Sequence, residues 1–371
     1  MHLPDPKYFD YAASSPPYAE ALSKLVEISG SFYANPSSIH WSGVECHNKL
    51  IEIKNQFSDL LGFKDGRLLL CSSGTEANNT IIEGHIKKNP DGRILIAEDV
   101  HDCIWYAHTF YNERVDILKI DESGNINSDQ LKSSLKSNTT LVCVNHVCNE
   151  TGMIQEVSSI AGICYNRGIK LLIDGVQAIG HIPVNLDLIP CDYYTFSSHK
   201  FGGPRGSGGI FIRDNKFEPL LHGGRQEWQL RAGTENLGGL AASLEALNMS
   251  LMFLEEESIR LGIYKSLLLN SLRNKVSNYI INSPSVCLPG FVSISFPQLS
   301  GSEIVTGLSL SGFSVSTGSA CHANQVEPSR IILALGRSRQ EAIGNIRISM
   351  GRGTTEWAVN ELSDALIDFV K

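Results

Sequence analysis

Short apolar runs that do not alternate with polar residues recur along the first two-thirds of this 371-residue chain, and they restrict its fold more than any other feature. They are Arg67–Cys71, Ile94–Ala97, Leu141–Asn145, Lys170–Ile173, Tyr193–Phe196 and Gly209–Ile212. A strand that is apolar on both faces suits a parallel sheet covered on both sides, not a half-solvated antiparallel one. Between the runs lie stretches with helical spacing, such as Thr75–Lys88 and Val157–Arg167. The rhythm predicts an α/β fold: a large domain with a mostly parallel, seven-stranded-type sheet flanked by helices.

After about Leu240 the texture changes. One long helical pattern from Leu240 to roughly Val276 leads to the strand candidate Phe291–Phe296, a helix near Glu303–Leu310, a Gly/Ser-rich loop over Ser314–Asn324, the alternating strand Asn345–Met350 and an amphipathic C-terminal helix. This predicts a smaller α+β domain. The expected boundaries are 14–250 for the large domain and 1–13 plus 251–371 for the small one.

Composition narrows the function. The net charge is −8 with no block of Lys or Arg, which argues against direct nucleic-acid binding, since such proteins need a basic face. No apolar run approaches the roughly 18–20 residues that span a bilayer, and the N-terminus lacks the basic start and apolar stretch of a signal peptide. Nine scattered cysteines without a CxxC pair read as reduced thiols, so a cytoplasmic protein with no metal site is expected.

Three motifs carry chemistry. Ser197-Ser198-His199-Lys200 directly follows a buried run, and Lys at a strand end sits where open α/β sheets place ligands, in surroundings that keep an amine neutral and nucleophilic. The glycine-rich stretch Gly202–Gly209 after it lets backbone approach a ligand closely. Alone, Lys200 reads as a surface lysine in a turn. Asp174 closes another run, where a carboxylate can hold a pyridinium nitrogen protonated, though an N-cap is an equal reading. Gln177, one turn on, could reach the phenolic oxygen of the same ring. Ser72-Ser73-Gly74-Thr75-Glu76 opens a helix after the first run. Its exposed N–H groups favour a phosphate, with Gly74 and Thr75 as donors, or else it is a plain capping box of Ser73 and Glu76. Phosphate cradle, acid and lysine, each at a strand end of one sheet, together predict a fold-type I pyridoxal 5'-phosphate enzyme.

The sequence resembles the cysteine desulfurases of the NifS/IscS type, in the class V aminotransferase group. The likeness is carried by Asp10-Tyr11-Ala12-Ala13, Asn35-Pro36-Ser37-Ser38-Ile39-His40, Ser73-Gly74-Thr75-Glu76, His146-Val147-Cys148-Asn149-Glu150-Thr151-Gly152, Asp174-Gly175-Val176-Gln177, Ser197-Ser198-His199-Lys200, Arg231-Ala232-Gly233-Thr234, Gly318-Ser319-Ala320-Cys321 and Ile346-Arg347-Ile348-Ser349-Met350-Gly351, in that order. The resemblance implies conversion of L-cysteine to L-alanine, with the sulfur held on Cys321 as a persulfide for an acceptor protein of unknown identity. It implies that Lys200 anchors the cofactor and shuttles a proton, that Asp174 and Gln177 meet the ring, and that Gly74, Thr75, Ser197 and His199 hold the phosphate. It further implies that His101 stacks on the ring and acts as acid or base, and that Arg347, helped by Asn149 near the ring, grips the substrate carboxylate. Thr234 would reach the phosphate of a neighbouring subunit in a homodimer.

Departures and rivals sharpen these expectations. His322 stands where the family usually has Thr, and Ser-Ser-Gly-Thr replaces the usual Ser-Gly-Ala-Thr at the cradle. The chain ends at Lys371, where members serving an iron–sulfur scaffold carry a longer tail, so iron–sulfur assembly, tRNA or cofactor thiolation and DNA phosphorothioation all stay open as the sulfur's destination. The alternatives are another class V enzyme, an aminotransferase or selenocysteine lyase, and a cofactor-binding sulfur-carrier subunit with little activity.

Overall fold

A computed structural model describes residues 4–318 and 327–371. The predicted loop over Ser314–Asn324 is therefore described as far as Gly318, and Cys321 and His322 lie outside the described residues.

The six apolar runs all form strands, and a seventh joins them. In chain order the strands are β1 (Arg67–Cys71), β2 (Arg93–Ala97), β3 (Val115–Leu118), β4 (Thr139–Asn145), β5 (Lys170–Asp174), β6 (Tyr193–Ser197) and β7 (Gly208–Ile212), arranged β1-β7-β6-β5-β4-β2-β3. Pairing is parallel from β6 through β5, β4 and β2 to β3, while β7 runs antiparallel to both its neighbours. The central strands β4 and β5 are buried along nearly their whole length, which is why their sequences read as continuous apolar runs. The missed strand, β3, is a four-residue edge strand with two partly exposed positions, too short and mixed to stand out.

The predicted helix from Leu240 to Val276 is two helices. Leu237–Met252 and Leu254–Lys275 meet at Phe253 with a 65° bend. The first is buried on almost every side, whereas the second buries only Leu268 and Leu272 and carries Glu255, Glu256 and Glu257 in its first turn. Acidic residues favour a helix N-terminus, so this triplet marks a new start that the apolar spacing conceals. Among the described residues no single helix is long and apolar enough to cross a membrane.

A second sheet, β8 (Ile280–Ile281), β9 (Phe291–Ser295) and β10 (Asn345–Ser349), has the order β10-β9-β8 and is antiparallel. It has its own core, built on Phe9, Val292, Ile294, Phe296, Ile346, Ile348, Leu362 and Leu366 among others. The N-terminal segment extends this sheet. Phe9 donates its N–H to Ser314 O at 2.8 Å and accepts from Ser349 N at 2.8 Å. From there the chain runs over to the larger sheet, where Ser15 N bonds to His199 O at 2.8 Å. Residues 9–15 thus strap the two sheets together beside the strand ends that carry Asp174 and Lys200.

Candidate active site

The parallel strands all end at one edge of the large sheet, and the residues that follow them line an open-mouthed cleft of about 950 Å³. Its walls include Gly74, Thr75, His101, Asn149, Asp174, Gln177, Ser197, His199, Lys200 and Arg347. Of the described residues singled out from sequence, only Thr234 lies elsewhere. It is exposed, in the segment leading to Leu237–Met252.

Lys200 ends a 3₁₀ turn, Ser198–Lys200, that follows β6 directly. Its Nζ donates to Ala12 O at 2.6 Å and Ala13 O at 3.0 Å, both in the N-terminal strap. Burial, then the nearby Arg347, brings its ammonium from 10.5 down to about 8, against the pull of Asp174, Asp10 and Cys103. The strap meets Gln177 too, whose Nε2 donates to Ala12 O at 2.8 Å.

Asp174 closes β5. Its Oδ1 accepts from Val176 N at 3.0 Å and its Oδ2 from Asn78 Nδ2 at 2.9 Å. Burial raises the pKa of this carboxyl, while the Val176 N–H, His101, Asn78 and Lys200 act in the opposite sense. Asn78 is fully buried and accepts from the Thr195 hydroxyl at 3.0 Å, so it is itself fixed by the sheet. The sequence reading gave Asn78 no role. Its signal was present: it stands one turn after Thr75, on the helix face that Ala77 and Ile81 mark as turned toward the core.

At the N-terminus of Gly74–Lys88, Ser73 Oγ accepts from Glu76 N at 3.2 Å. This is half of the expected capping box. The Glu76 carboxylate turns instead to Ser72 N at 2.7 Å and to Arg231 Nε at 2.8 Å, drawing the Arg231 segment to the cradle. The first N–H groups of a helix have no intrahelical acceptor, so those of Gly74 and Thr75 are available to an anion. A Cβ on residue 74 would lie 2.7 Å from Val176 Cγ2, so a larger residue there would require the Val176 side chain to shift.

His101 caps Asp102–Phe110, its Nδ1 accepting from Cys103 N at 3.1 Å, and burial lowers its pKa. A neutral ring with Nδ1 as acceptor carries its proton on Nε2. His199, brought down to about 4 chiefly by burial, is likewise neutral, with Nδ1 3.2 Å from Ser14 Oγ.

Arg347, on β10, is the contribution of the second sheet. It is buried; Nη2 donates to Asp10 Oδ1 at 2.7 Å and Nη1 to Asn149 O at 2.8 Å. Its Nε, and the Oδ1 of Asn149, find no hydrogen-bond partner among the described residues. Two buried, unpaired polar atoms on residues that line one cleft mark a place built for a polar ligand. From sequence Asp10 is only part of a motif; here it holds one end of the guanidinium.

The sequence matches the family described as aminotransferase class-V over residues 7–362. The chain belongs to that family. Within it the chain is NifS/IscS-like. It is 33% identical over 366 residues to the cysteine desulfurase IscS of Dictyoglomus turgidum, covering 97% of this chain and 93% of that one. It is 32% identical over 373 residues to the putative cysteine desulfurase IscS 1 of Bacillus subtilis, covering 98% of each. Among solved structures, a NifS-like protein superposes with a TM-score of 0.89 at 28% identity, over 97% of this chain and 98% of that one. The structure of SspA in complex with cysteine matches with a TM-score of 0.81 at 26% identity, over 94% and 99%. These likenesses carry the desulfurase branch of the family and its sheet architecture across nearly the whole chain.

Proposed function

We propose that this chain is a pyridoxal-phosphate-dependent cysteine desulfurase that moves sulfur from L-cysteine to Cys321 and releases L-alanine. The observation that carries the reading is that Lys200, Asp174 and Arg347, an amine, an acid and a guanidinium from three strands and two sheets, open onto one cleft.

The cleft fits the cofactor. Gly74, Thr75, Ser197 and His199 suit its phosphate, Asp174 its pyridine nitrogen, Gln177 its phenolic oxygen and His101 its ring face. The negative charge of an Asp174 carboxylate facing the ring would favour a proton on the pyridine nitrogen. Bound there, pyridoxal phosphate supplies an electron sink that makes the Cα proton of an amino acid acidic and its Cβ–S bond labile.

The chain's own residues do the rest. Arg347, whose Nε has no partner among the described residues, would serve as the fork for the substrate carboxylate, while Asp10 stops it from turning away. Lys200, with a pKa of about 8, takes and returns the proton at Cα near neutral pH. His101 offers its Nε2 proton to the same space. The Cys321 thiolate attacks the substrate sulfur: an S–S bond forms, the Cβ–S bond breaks, and the electron pair left on carbon takes up a proton to give alanine.

Other parts of the reading follow from this assignment. Thr234 lies on the surface, where it can complete the phosphate site of a second copy in a homodimer. The eight described cysteines are unpaired, which suits a reducing, cytoplasmic setting, and an acceptor protein then takes the persulfide sulfur. We keep the division into a large domain of residues 14–250 and a small one of 1–13 with 251–371, the second core lying wholly within the latter, although Leu288, Phe291, Ile332, Leu335 and Ala342 of that range pack into the large-sheet core.

The test is direct. Purified protein given L-cysteine should yield alanine and, with a reductant, sulfide, whereas Cys321→Ser should keep the bound cofactor's absorbance and lose sulfide release. Sulfide release unchanged in Cys321→Ser would remove that thiol from the mechanism. No alanine from the unaltered protein, with amino transfer to a keto acid instead, would make it an aminotransferase.

A further inference from the structure

Glu150 is a buried carboxylate with no part in the chemistry above. It follows Asn149 in the turn after β4, but Asn149 lines the cleft and Glu150 does not. Only 6% of it is exposed, and burial raises its pKa against the opposing Arg347 and Arg330. A buried carboxylate needs strong partners to be tolerated, and its partners are unusual.

Its Oε2 accepts the hydroxyl of Ser329 at 2.5 Å. The same oxygen lies 3.2 Å from where a Cβ on Gly318 would stand. One oxygen therefore bonds the chain shortly after Cys321 and lies beside it shortly before Cys321.

Each of these two places is tied in turn to chain next to a different catalytic residue. On the leading side, Ser316 exchanges backbone bonds with Arg347, Ser316 Oγ accepts from Gly318 N at 3.2 Å, and Gly318 takes a φ of +85°. On the trailing side, Ser329 caps the short helix Arg330–Ala334. The Arg330 guanidinium there donates to Glu98 O and, at 2.6 Å, to Val100 O, and it stacks 4.0 Å above the Trp105 ring. These carbonyls lie in the segment that leads directly into His101. Glu150 is where the Arg347 side and the His101 side meet.

We infer that Glu150 is a positioning residue for sulfur transfer: by bonding Ser329 beside the Gly318 turn, it keeps together the two places in the chain between which Cys321 lies. The inference rests on the reading of Cys321 as the sulfur acceptor. It separates two halves of the reaction. Proton exchange at Cα uses Lys200, Arg347 and the cofactor and leaves Glu150 idle, whereas persulfide formation depends on where Cys321 is held.

The experiment compares those halves in holoenzyme variants Glu150→Ala, Ser329→Ala, Glu150→Gln and Cys321→Ser. The first readout is exchange of the L-alanine α-proton in D₂O, which needs no thiol and also reports an intact fold and bound cofactor. The second is protein persulfide formed in a single turnover with L-cysteine. Glu150→Ala and Ser329→Ala should keep exchange within about twofold and slow persulfide formation about 10- to 100-fold, the scale of a misplacement of about 1 Å. Glu150→Gln retains an oxygen that accepts from Ser329 and should recover most of the rate. Exchange and persulfide formation falling in parallel, neither one falling, or Glu150→Gln as slow as Glu150→Ala would each overturn the inference. Cys321→Ser should exchange normally and form no persulfide; if instead it releases sulfide at the full rate, the assignment of Cys321 fails, whatever the Glu150 variants do.

Discussion

Lys200 can react with an aldehyde only as the neutral amine, so its depressed pKa sets how fast the protein takes up its cofactor. The fall from 10.5 to about 8 has burial as its main cause and Arg347 as the next. At pH 7.5 a group of pKa 8 is about one-quarter neutral, whereas an ordinary lysine is about one part in a thousand neutral, a difference of roughly 200-fold. Cofactor-free protein mixed with pyridoxal phosphate should therefore gain the visible absorbance of the bound cofactor at a rate that rises with pH, bends near pH 8 and levels off by about pH 9. Arg347→Gln removes a cation that favours the neutral amine and leaves Asp10 and Asp174, which favour the ammonium, so the bend should move to higher pH. Stopped-flow absorbance across pH 6.5–10 measures both profiles, that range being chosen to span roughly two units either side of the bend. A rate that keeps climbing without a bend up to pH 10 would refute the claim that the fold depresses this amine. An unmoved bend in Arg347→Gln would clear Arg347 of a share in it.

Two further predictions concern stability. Lys54 and Glu227 form a buried pair, with Nζ 2.6 and 2.7 Å from the two carboxylate oxygens. Lys54→Met leaves that carboxylate alone and should cost about 3–5 kcal/mol in urea unfolding, most of it recovered in Lys54→Met/Glu227→Met; a cost below about 1 kcal/mol would contradict the pairing argument. Burial pushes the Asp99 carboxyl from 3.8 up to about 6, and its Oδ1 has no partner among the described residues. A folded pKa above the unfolded one means that the folded state holds the extra proton, so stability falls as pH rises from 3.8 to about 6. Asp99→Asn should flatten that fall and stabilise the protein at pH 7 by up to about 3 kcal/mol, read from melts at pH 5 and 7, and a destabilised variant at pH 7 would reverse the argument.

How much of this was legible beforehand depended on whether a feature is local. Six of the seven strands of the large sheet announce themselves because a strand covered on both faces must be apolar throughout, and Val115–Leu118 escapes because it is short and its two middle positions are partly exposed. Asp174 and Lys200 are legible because each sits directly after such a run. The bend at Phe253 was hidden since apolar spacing continues through it, although the acids at 255–257 record it. Contacts made across long sequence gaps left no mark. Nothing adjacent to Asp10 says that it will hold Arg347, 337 residues on, nor does anything near Glu150 point to Ser329, 179 residues on. Such pairings belong to the packing of two sheets, and a motif can flag their members without saying what they touch.

The strap of residues that bridges the two sheets has a consequence for what a partial chain can do. Amine, acid and phosphate cradle all lie before residue 201, on the large sheet, while the grip for a carboxylate arrives only with Asn345–Ser349, the strand against which Phe9 lies. A product stopped short of that strand would keep a place for the coenzyme yet have no hold on an amino acid, and its opening residues would lack the strand that bonds Phe9. Loading with coenzyme and competence toward cysteine are thus separate milestones, reached at different points along the polypeptide.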